Sequence, residues 1–86
     1  MRLDKFLSVI NIFKSRSLSA EAISSEMVKV NNQTAKASKE IGVNSIIEID
    51  TPKFYKKIKV VALPVHNISK KNASSLFMVI EERIKD

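Results

Sequence analysis

The side chains in this sequence that could do chemistry are mainly cations. Four of them lie close together near the start of the chain: Arg2, Lys5, Lys14 and Arg16. An arginine guanidinium donates two parallel hydrogen bonds to a phosphate, and a lysine ammonium adds a point charge beside it. If two helices that carry these residues pack side by side, the four side chains meet on one edge. There they would bind a phosphate backbone.

Asp4 lies among these cations. As a functional group it could be a general base, but no second carboxylate is placed to form an acid–base pair with it. A carboxylate in the first turn of a helix is favoured by the helix dipole, and it can also brace Arg2 or Arg16. We therefore interpret Asp4 as a structural residue.

Further lysines follow along the chain. Lys36 and Lys39 come after the first predicted strand and could extend the cationic track. Lys56 and Lys57 lie in a segment, residues 51–80, that contains no Asp or Glu. Two interpretations remain open for this segment: contact with phosphates, or a solvated strand face whose lysines discourage pairing with other chains. Because no acid offsets the lysines, phosphate contact is favoured.

The composition points to a polyanionic partner and away from catalysis. The net charge is +6, which suits nucleic acid or an anionic membrane surface. The 86 residues contain no cysteine, one histidine and one glycine. These counts exclude a thiolate zinc site, a multi-histidine metal site and a glycine-rich phosphate loop. We expect no catalytic residue, no metal and no cofactor, and we expect His66 to be a loop residue.

The length and hydropathy suggest one small domain in the cytoplasm. A chain of 86 residues has room for one modest core. No apolar run approaches the roughly 18 residues of a membrane span, and the first residues do not resemble a signal peptide. We expect a monomer that does not associate with a membrane.

Two helices are predicted first. Apolar residues spaced i, i+3, i+4 and i+7 form the inward face of the first helix: Leu3, Phe6, Leu7 and Ile10. Ser15 is a suitable N-cap for the second helix, because its hydroxyl can accept a bond from an unpaired backbone N–H. That helix is predicted to end near Ser25 and to bury Leu18, Ala22 and Ile23.

Strands follow, and a closing helix is expected. Val28 and Val30 alternate with polar residues, which predicts a strand that ends in a turn at Asn31 and Asn32. Residues 36–38 are expected to be extended, 42–45 to reverse the chain, and 46–49 and 54–63 to form further strands. Apolar residues at helical spacing then predict a final amphipathic helix capped by Asn72; its inward positions are Ala73, Leu76, Phe77, Ile80 and Ile84.

The fold class is therefore α+β, with two N-terminal helices packed on a small antiparallel sheet and a C-terminal strand and helix. We divide the chain at residue 50: a lysine-rich strand and amphipathic helix, residues 51–86, pack on the same domain as residues 1–50.

Four short motifs resemble, in order and spacing, the S4 RNA-binding domain, which is also called the alpha-L motif. They are residues 2–7 (RLDKFL), 14–17 (KSRS), 28–31 (VKVN) and 36–38 (KAS). Glycines that are usual in this family are replaced by Glu26, Asn32 and Asn44, and a usual cation is replaced by Asn11. Asparagine accepts a positive φ at modest cost and glutamate at a higher one, so the loop at Glu26 is expected to differ.

The resemblance covers residues 1–50 and implies that this part is an S4 RNA-binding domain, which binds structured RNA without catalysis. The single-domain length and the pattern of residues 73–82 look most like the members that act in ribosome quality control. Such members hold ribosomal RNA of the large subunit and tRNA on stalled subunits, and they support a factor that extends the trapped nascent chain. A heat-shock-type rescue factor for blocked large subunits is the close alternative.

A DNA-binding regulator is a more distant alternative. It would need a recognition helix with base-reading Asn, Gln or Arg on one face. The second helix offers mostly Ser, Ala and Glu. An RNA-modifying enzyme is less favoured still, since no segment long enough for a catalytic domain follows residue 50.

Overall fold

Two helices cover one face of a five-stranded antiparallel sheet. The computed structural model describes residues 1–64 and 70–85, so the expectations for His66 and for the side chain of Asn72 lie outside its described part. The elements in chain order are α1 (Leu3–Val9), α2 (Arg16–Ser24), β1 (Val28–Val30), β2 (Gln33–Thr34), β3 (Ile46–Asp50), β4 (Phe54–Val60), a 3-10 helix (Lys70–Leu76) and β5 (Phe77–Ile84).

The strands lie in the order β2-β1-β3-β4-β5. Their register places Val30 opposite Ile47 and Ile47 opposite Ile58, so these side chains share the face that the helices cover. The apolar stripe of α1 packs onto that face, and its leucines and Phe6 are fully buried. The predicted α+β class, with two N-terminal helices on an antiparallel sheet, is confirmed.

Both helices end in the same motif, in which a residue with positive φ turns the chain out of the helix. After α1, Asn11 has φ 63° and its N–H bonds to the carbonyl oxygen of Ser8. After α2, Glu26 has φ 62° and its N–H donates to the Ile23 carbonyl. The N–H of Met27 donates to the Ala22 carbonyl. This pair of bonds is the Schellman arrangement that satisfies the last carbonyls of a helix.

The start of α2 agrees with the sequence, but part of its buried face does not. The Ser15 hydroxyl accepts a hydrogen bond from the Leu18 N–H at 3.1 Å, as predicted for the N-cap. Ala22 and Ile23 are buried, but Leu18 is 45% exposed, so its prediction as a core residue is wrong. Ser19, one position further along the helix, takes the inward place and donates to the Ser15 carbonyl.

Two of the predicted turns are confirmed and one predicted extended segment is wrong. Asn31 and Asn32 both have positive φ, and residues 42–45 reverse the chain through a bond from the Ser45 N–H to Gly42. Residues 36–38, expected to be extended, form a turn closed by a bond from the Lys39 N–H to Lys36.

The predicted closing helix is wrong. Residues 70–76 form a 3-10 helix, and residues 77–84 form β5, which pairs with β4. The register shifts between Lys57 and Ile58, which lie opposite Glu81 and Val79, so Ile80 is an extra residue in β5. A bulge of this kind breaks the two-residue alternation of a strand. The apolar positions on either side of it then happen to match a helical spacing.

Three positions at which the family usually has a glycine lie in the left-handed region of backbone conformation. Glu26, Asn32 and Asn44 all have positive φ, at 62°, 68° and 75°. Glu26 thus adopts the left-handed conformation that glycine reaches at little cost, although it has a Cβ atom. For a residue with a Cβ atom this conformation costs about 1–2 kcal/mol.

Replacing Glu26 by glycine is expected to stabilise the protein. Relief of the left-handed strain outweighs the greater freedom of glycine in the unfolded chain, and we expect a gain of about 0.5–1 kcal/mol in the free energy of unfolding. Denaturant titration measures it. Ser24→Gly is the matched control, because Ser24 is helical in the last turn of α2; there glycine should cost a similar amount. Equal shifts for both variants would contradict the strain assignment.

Candidate RNA-binding surface

One buried carboxylate joins the two arginines of the first motifs. Asp4 lies in the first turn of α1 and is 4% exposed. Its Oδ1 accepts from Arg2 Nε at 3.2 Å, and its Oδ2 accepts from Arg16 Nε, also at 3.2 Å. The Lys5 backbone N–H donates to Oδ1 at 2.8 Å. The prediction that Asp4 braces Arg2 or Arg16 is confirmed, and it braces both.

The charge on Asp4 is stabilised by these donors. Burial raises the pKa of the carboxyl, but hydrogen bonds from Arg16, from the Lys5 amide and from Arg2 lower it. The net effect is a pKa below the usual value for aspartate, so the group is ionised at neutral pH. The arginine side chains stay accessible: those of Arg2 and Arg16 are 46% and 50% exposed. We call these three residues the Arg–Asp–Arg cluster.

The segment that carries Lys36 and Lys39 is held against the start of α1. The Leu3 N–H bonds to the Lys39 carbonyl at 2.8 Å, and the Asp4 N–H bonds to the Ala37 carbonyl at 3.2 Å. Residues Arg2 and Glu40 also form an isolated bridge. These backbone bonds bring the two lysines to the same end of the molecule as the Arg–Asp–Arg cluster.

A shallow depression of about 240 Å³ lies beside this segment. Its lining residues are Val30, Gln33, Thr34, Ala35, Lys36, Ser38 and Lys39. Sequence reasoning missed Gln33 and Thr34, which form β2 and are exposed. The signal that could have found them is the turn at Asn31 and Asn32, since it returns the chain alongside β1. The depression combines hydroxyl, amide and ammonium groups, which suit phosphate and sugar atoms.

Lys5 and Lys14 lie on the exposed surface around the cluster. Lys5 follows Asp4 in α1, and Lys14 lies in the connection to α2, two residues before Arg16. Both are thus near the cluster residues in sequence and accessible to a ligand. The start of α2 offers fewer free amides than a bare helix end, because the Ser15 hydroxyl already accepts from the Leu18 N–H.

Lys56 and Lys57 lie elsewhere and point to opposite faces of the sheet. Lys56 Nζ forms an ion pair with Glu82 at 2.7 Å. Lys57 lies between Glu48 on β3 and Glu81 on β5 in the strand register. The expectation that no acid offsets these lysines is therefore wrong, because Glu48, Glu81 and Glu82 lie beside them on the neighbouring strands. The structure does not bring Lys56 and Lys57 together with the Arg–Asp–Arg cluster.

The two aromatic side chains of β4 are already in contact with other groups of the protein. Tyr55 is partly buried, its hydroxyl donates to Glu48 at 3.1 Å, and the Arg83 guanidinium lies 4.7 Å from its ring centre. Phe54 packs against the edge of the core. Within residues 1–64 and 70–85, no group of three or more His, Cys, Asp or Glu side chains could hold a metal ion. No helix in that same part of the chain is long and apolar enough to cross a membrane.

Comparison with known proteins decides the family. The model of the S4 domain matches residues 1–47, more than half of the chain. The chain belongs to the S4 domain family. This match spans α1, α2, β1 and β2, and with them the Arg–Asp–Arg cluster and the Lys36–Lys39 segment.

Two curated S4 relatives are similar over nearly all of this chain. The heat shock protein 15 homolog of Haemophilus influenzae is 33% identical over 85 residues, which are 99% of this chain and 65% of that protein. The RQC P-site tRNA stabilizing factor of Streptococcus pneumoniae is 33% identical over 82 residues, which are 95% of this chain and 92% of that protein. The chain thus spans just under two thirds of the first relative's length and nearly all of the second's.

Solved structures have the same S4 fold. The trimeric structure of heat shock protein 15 from Vibrio cholerae matches with a TM-score of 0.84 and 26% identity, over 92% of this chain and 80% of that one. The solution structure of a hypothetical protein matches with a TM-score of 0.80 and 25% identity, over 96% of this chain and all of that one. The expectation of a monomer receives no support from the trimeric relative.

Proposed function

We propose that this S4 protein binds ribosomal RNA of the large subunit and tRNA on stalled large subunits, and so supports ribosome-associated quality control without doing chemistry itself. The observation that carries the proposal is the Arg–Asp–Arg cluster with Lys36 and Lys39 at one end of the fold. Such a cationic edge, without an array of stacking aromatics, suits duplex RNA, which is recognised by its shape, phosphates and 2′-hydroxyls.

Quality control is favoured over heat-shock rescue by the extent of similarity. This chain has a counterpart for 92% of the relative named for stabilizing P-site tRNA. It has a counterpart for only 65% of the heat-shock relative. Rescue of blocked large subunits is the second candidate, because the identity to both relatives is 33% and the fold of a heat-shock protein matches closely. Both roles place the protein in the cytoplasm, and the first adds a nascent-chain tailing factor as a partner.

The DNA-binding alternative is not supported by α2. Its exposed positions carry Ser17, Leu18, Glu21 and Ser24 beyond the cluster arginine. A glutamate in a groove-facing position repels phosphates, and none of these side chains matches the bidentate readers of guanine or adenine.

The RNA that travels with the protein tests the proposal. Tagged protein would be sedimented through a gradient, and the RNA in its fractions sequenced. We expect large-subunit ribosomal RNA and tRNA together. Messenger RNA or DNA fragments without ribosomal RNA would overturn the proposal. Ribosomal RNA without tRNA would favour the heat-shock alternative.

The salt dependence of RNA binding should separate the two groups of lysines. Each phosphate contact that is lost flattens the log–log slope by slightly under one unit. We expect Lys36→Gln with Lys39→Gln to flatten it by about one to two units. Lys56→Gln with Lys57→Gln is the matched control, with the same charge change, and should flatten it less, because Glu82 already neutralises Lys56. A larger effect of the second pair would move the main RNA contact to β4.

A further inference from the structure

We infer that Asp4 is a positioning residue for RNA: its buried carboxylate fixes the two guanidiniums of Arg2 and Arg16 so that their remaining N–H groups bind a backbone phosphate. The inference rests on the proposed function and names the residue that prepares its binding edge. The negatively charged Asp4 would then strengthen the binding of negatively charged RNA, which is the opposite of its direct electrostatic effect.

The geometry supports this role through the nitrogens that Asp4 occupies. Arg16 donates to Asp4 through Nε at 3.2 Å, and neither of its terminal nitrogens donates to Asp4. Arg2 donates to Asp4 through Nε at 3.2 Å and through one terminal nitrogen at 3.3 Å. Arg16 therefore keeps both terminal nitrogens for a ligand, and Arg2 keeps one. Two parallel N–H donors are the arrangement that matches a phosphate.

The local fold holds the carboxylate still. Asp4 is 4% exposed, its own N–H bonds to the Ala37 carbonyl at 3.2 Å, and its Oδ1 accepts from the Lys5 N–H at 2.8 Å. The backbone on both sides of the side chain is thus fixed. A guanidinium bonded to a fixed carboxylate loses less rotational freedom when it binds a ligand, because much of that freedom is already lost.

The arrangement also joins two separate motifs. Arg2 directly precedes α1, and Arg16 begins α2. Asp4 accepts from both, and its bond with Arg16 spans twelve positions of sequence. Without the carboxylate, two like charges would face each other at this edge and repel. Asp4 therefore keeps both arginines on one surface.

The direction in which Asp4→Asn changes the affinity for RNA tests the inference. Asp4→Asn removes a negative charge beside the RNA, so a purely coulombic effect would tighten binding. We expect binding of large-subunit ribosomal RNA to weaken about three- to tenfold instead, since the amide cannot accept from both arginines as the carboxylate does. The salt slope should also flatten by about one unit, because a phosphate contact is lost.

Glu40→Gln is the matched control. Glu40 lies in the bridge to Arg2 and is exposed, and its carboxylate pairs with the N-terminal amine at 2.8 Å and not with either arginine. The substitution removes the same charge from the same neighbourhood. We expect unchanged or slightly tighter binding. Equal tightening for Asp4→Asn and Glu40→Gln would overturn the positioning role.

A variant that leaves Asp4 unchanged keeps the test valid if Asp4→Asn folds poorly. Arg16→Lys retains the charge but cannot engage Asp4 and a phosphate in the same fork geometry, so we expect at least a fivefold loss. Wild-type affinity in Arg16→Lys would contradict the inference. In a background that lacks both arginines, Arg2→Ala with Arg16→Ala, Asp4→Asn should cause little further loss; a full additional loss would show that Asp4 acts independently of the two arginines. If Arg16→Ala itself binds RNA normally, the proposed function fails at this surface, and not the positioning role alone.

Discussion

Replacing Arg16 by alanine is expected to weaken binding of large-subunit ribosomal RNA about tenfold or more. Loss of a hydrogen bond to a charged group costs about 1.5–3 kcal/mol, and 1.4 kcal/mol corresponds to tenfold in affinity. Arg16 is half exposed and its terminal nitrogens are not used by Asp4, so it is placed to make such bonds. Binding titrations at a fixed, near-physiological salt concentration measure the change. Arg2→Ala should act in the same direction.

The control for this prediction is a cation on another part of the molecule. Lys53 lies in the exposed turn between β3 and β4. Lys53→Ala removes one positive charge as well, and we expect it to change the affinity about twofold or less. The melting temperature of Arg16→Ala should fall only slightly, because Asp4 keeps its bonds from Arg2 and from the Lys5 amide. Equal losses from Lys53→Ala and Arg16→Ala would reduce the surface to a diffuse charge effect.

The second large effect is on the stability of the fold, and it should differ sharply between two apolar residues of α2. Ile23 is 2% exposed and packs in the core, so Ile23→Ala should lower the free energy of unfolding by about 2–5 kcal/mol. Leu18 is 45% exposed, and Leu18→Ala should cost about 1 kcal/mol or less. Denaturant titrations of the two variants give both values. Comparable losses would restore Leu18 to the core, as the sequence alone predicted, and would contradict the packing of α2.

The helices and the cluster were accessible from sequence because their signals are local. The stripe of α1, the Ser15 cap and the position of Asp4 beside Arg2 all depend on neighbours within one turn. That Asp4 binds both arginines depends on how α2 packs, and the sequence left this open. Leu18 was misplaced for the same reason: its position fits an apolar stripe, but Ser19 is small enough to lie closer to the core.

The errors in the second half of the chain have one origin. The bulge at Ile80 hides the alternation of β5, so the sequence of this segment predicts a helix. With β5 taken as a helix, Glu81 and Glu82 could not be recognised as neighbours of the lysines in β4. The apparent absence of acids near Lys56 and Lys57 followed directly from this. Pairing between strands is not local, and a single misassigned strand changes the electrostatic neighbourhood of the next.

Retention of the purified protein on three kinds of particle tests the central claim most directly. Intact ribosomes, empty large subunits and large subunits that carry peptidyl-tRNA would be sedimented with the protein at near-physiological salt, with Arg16→Ala as the control. We expect the strongest retention on the subunits that carry tRNA, because contacts of one domain with both ribosomal RNA and tRNA reinforce each other, and we expect Arg16→Ala to lose it. Equal retention on all three particles would contradict the quality-control function.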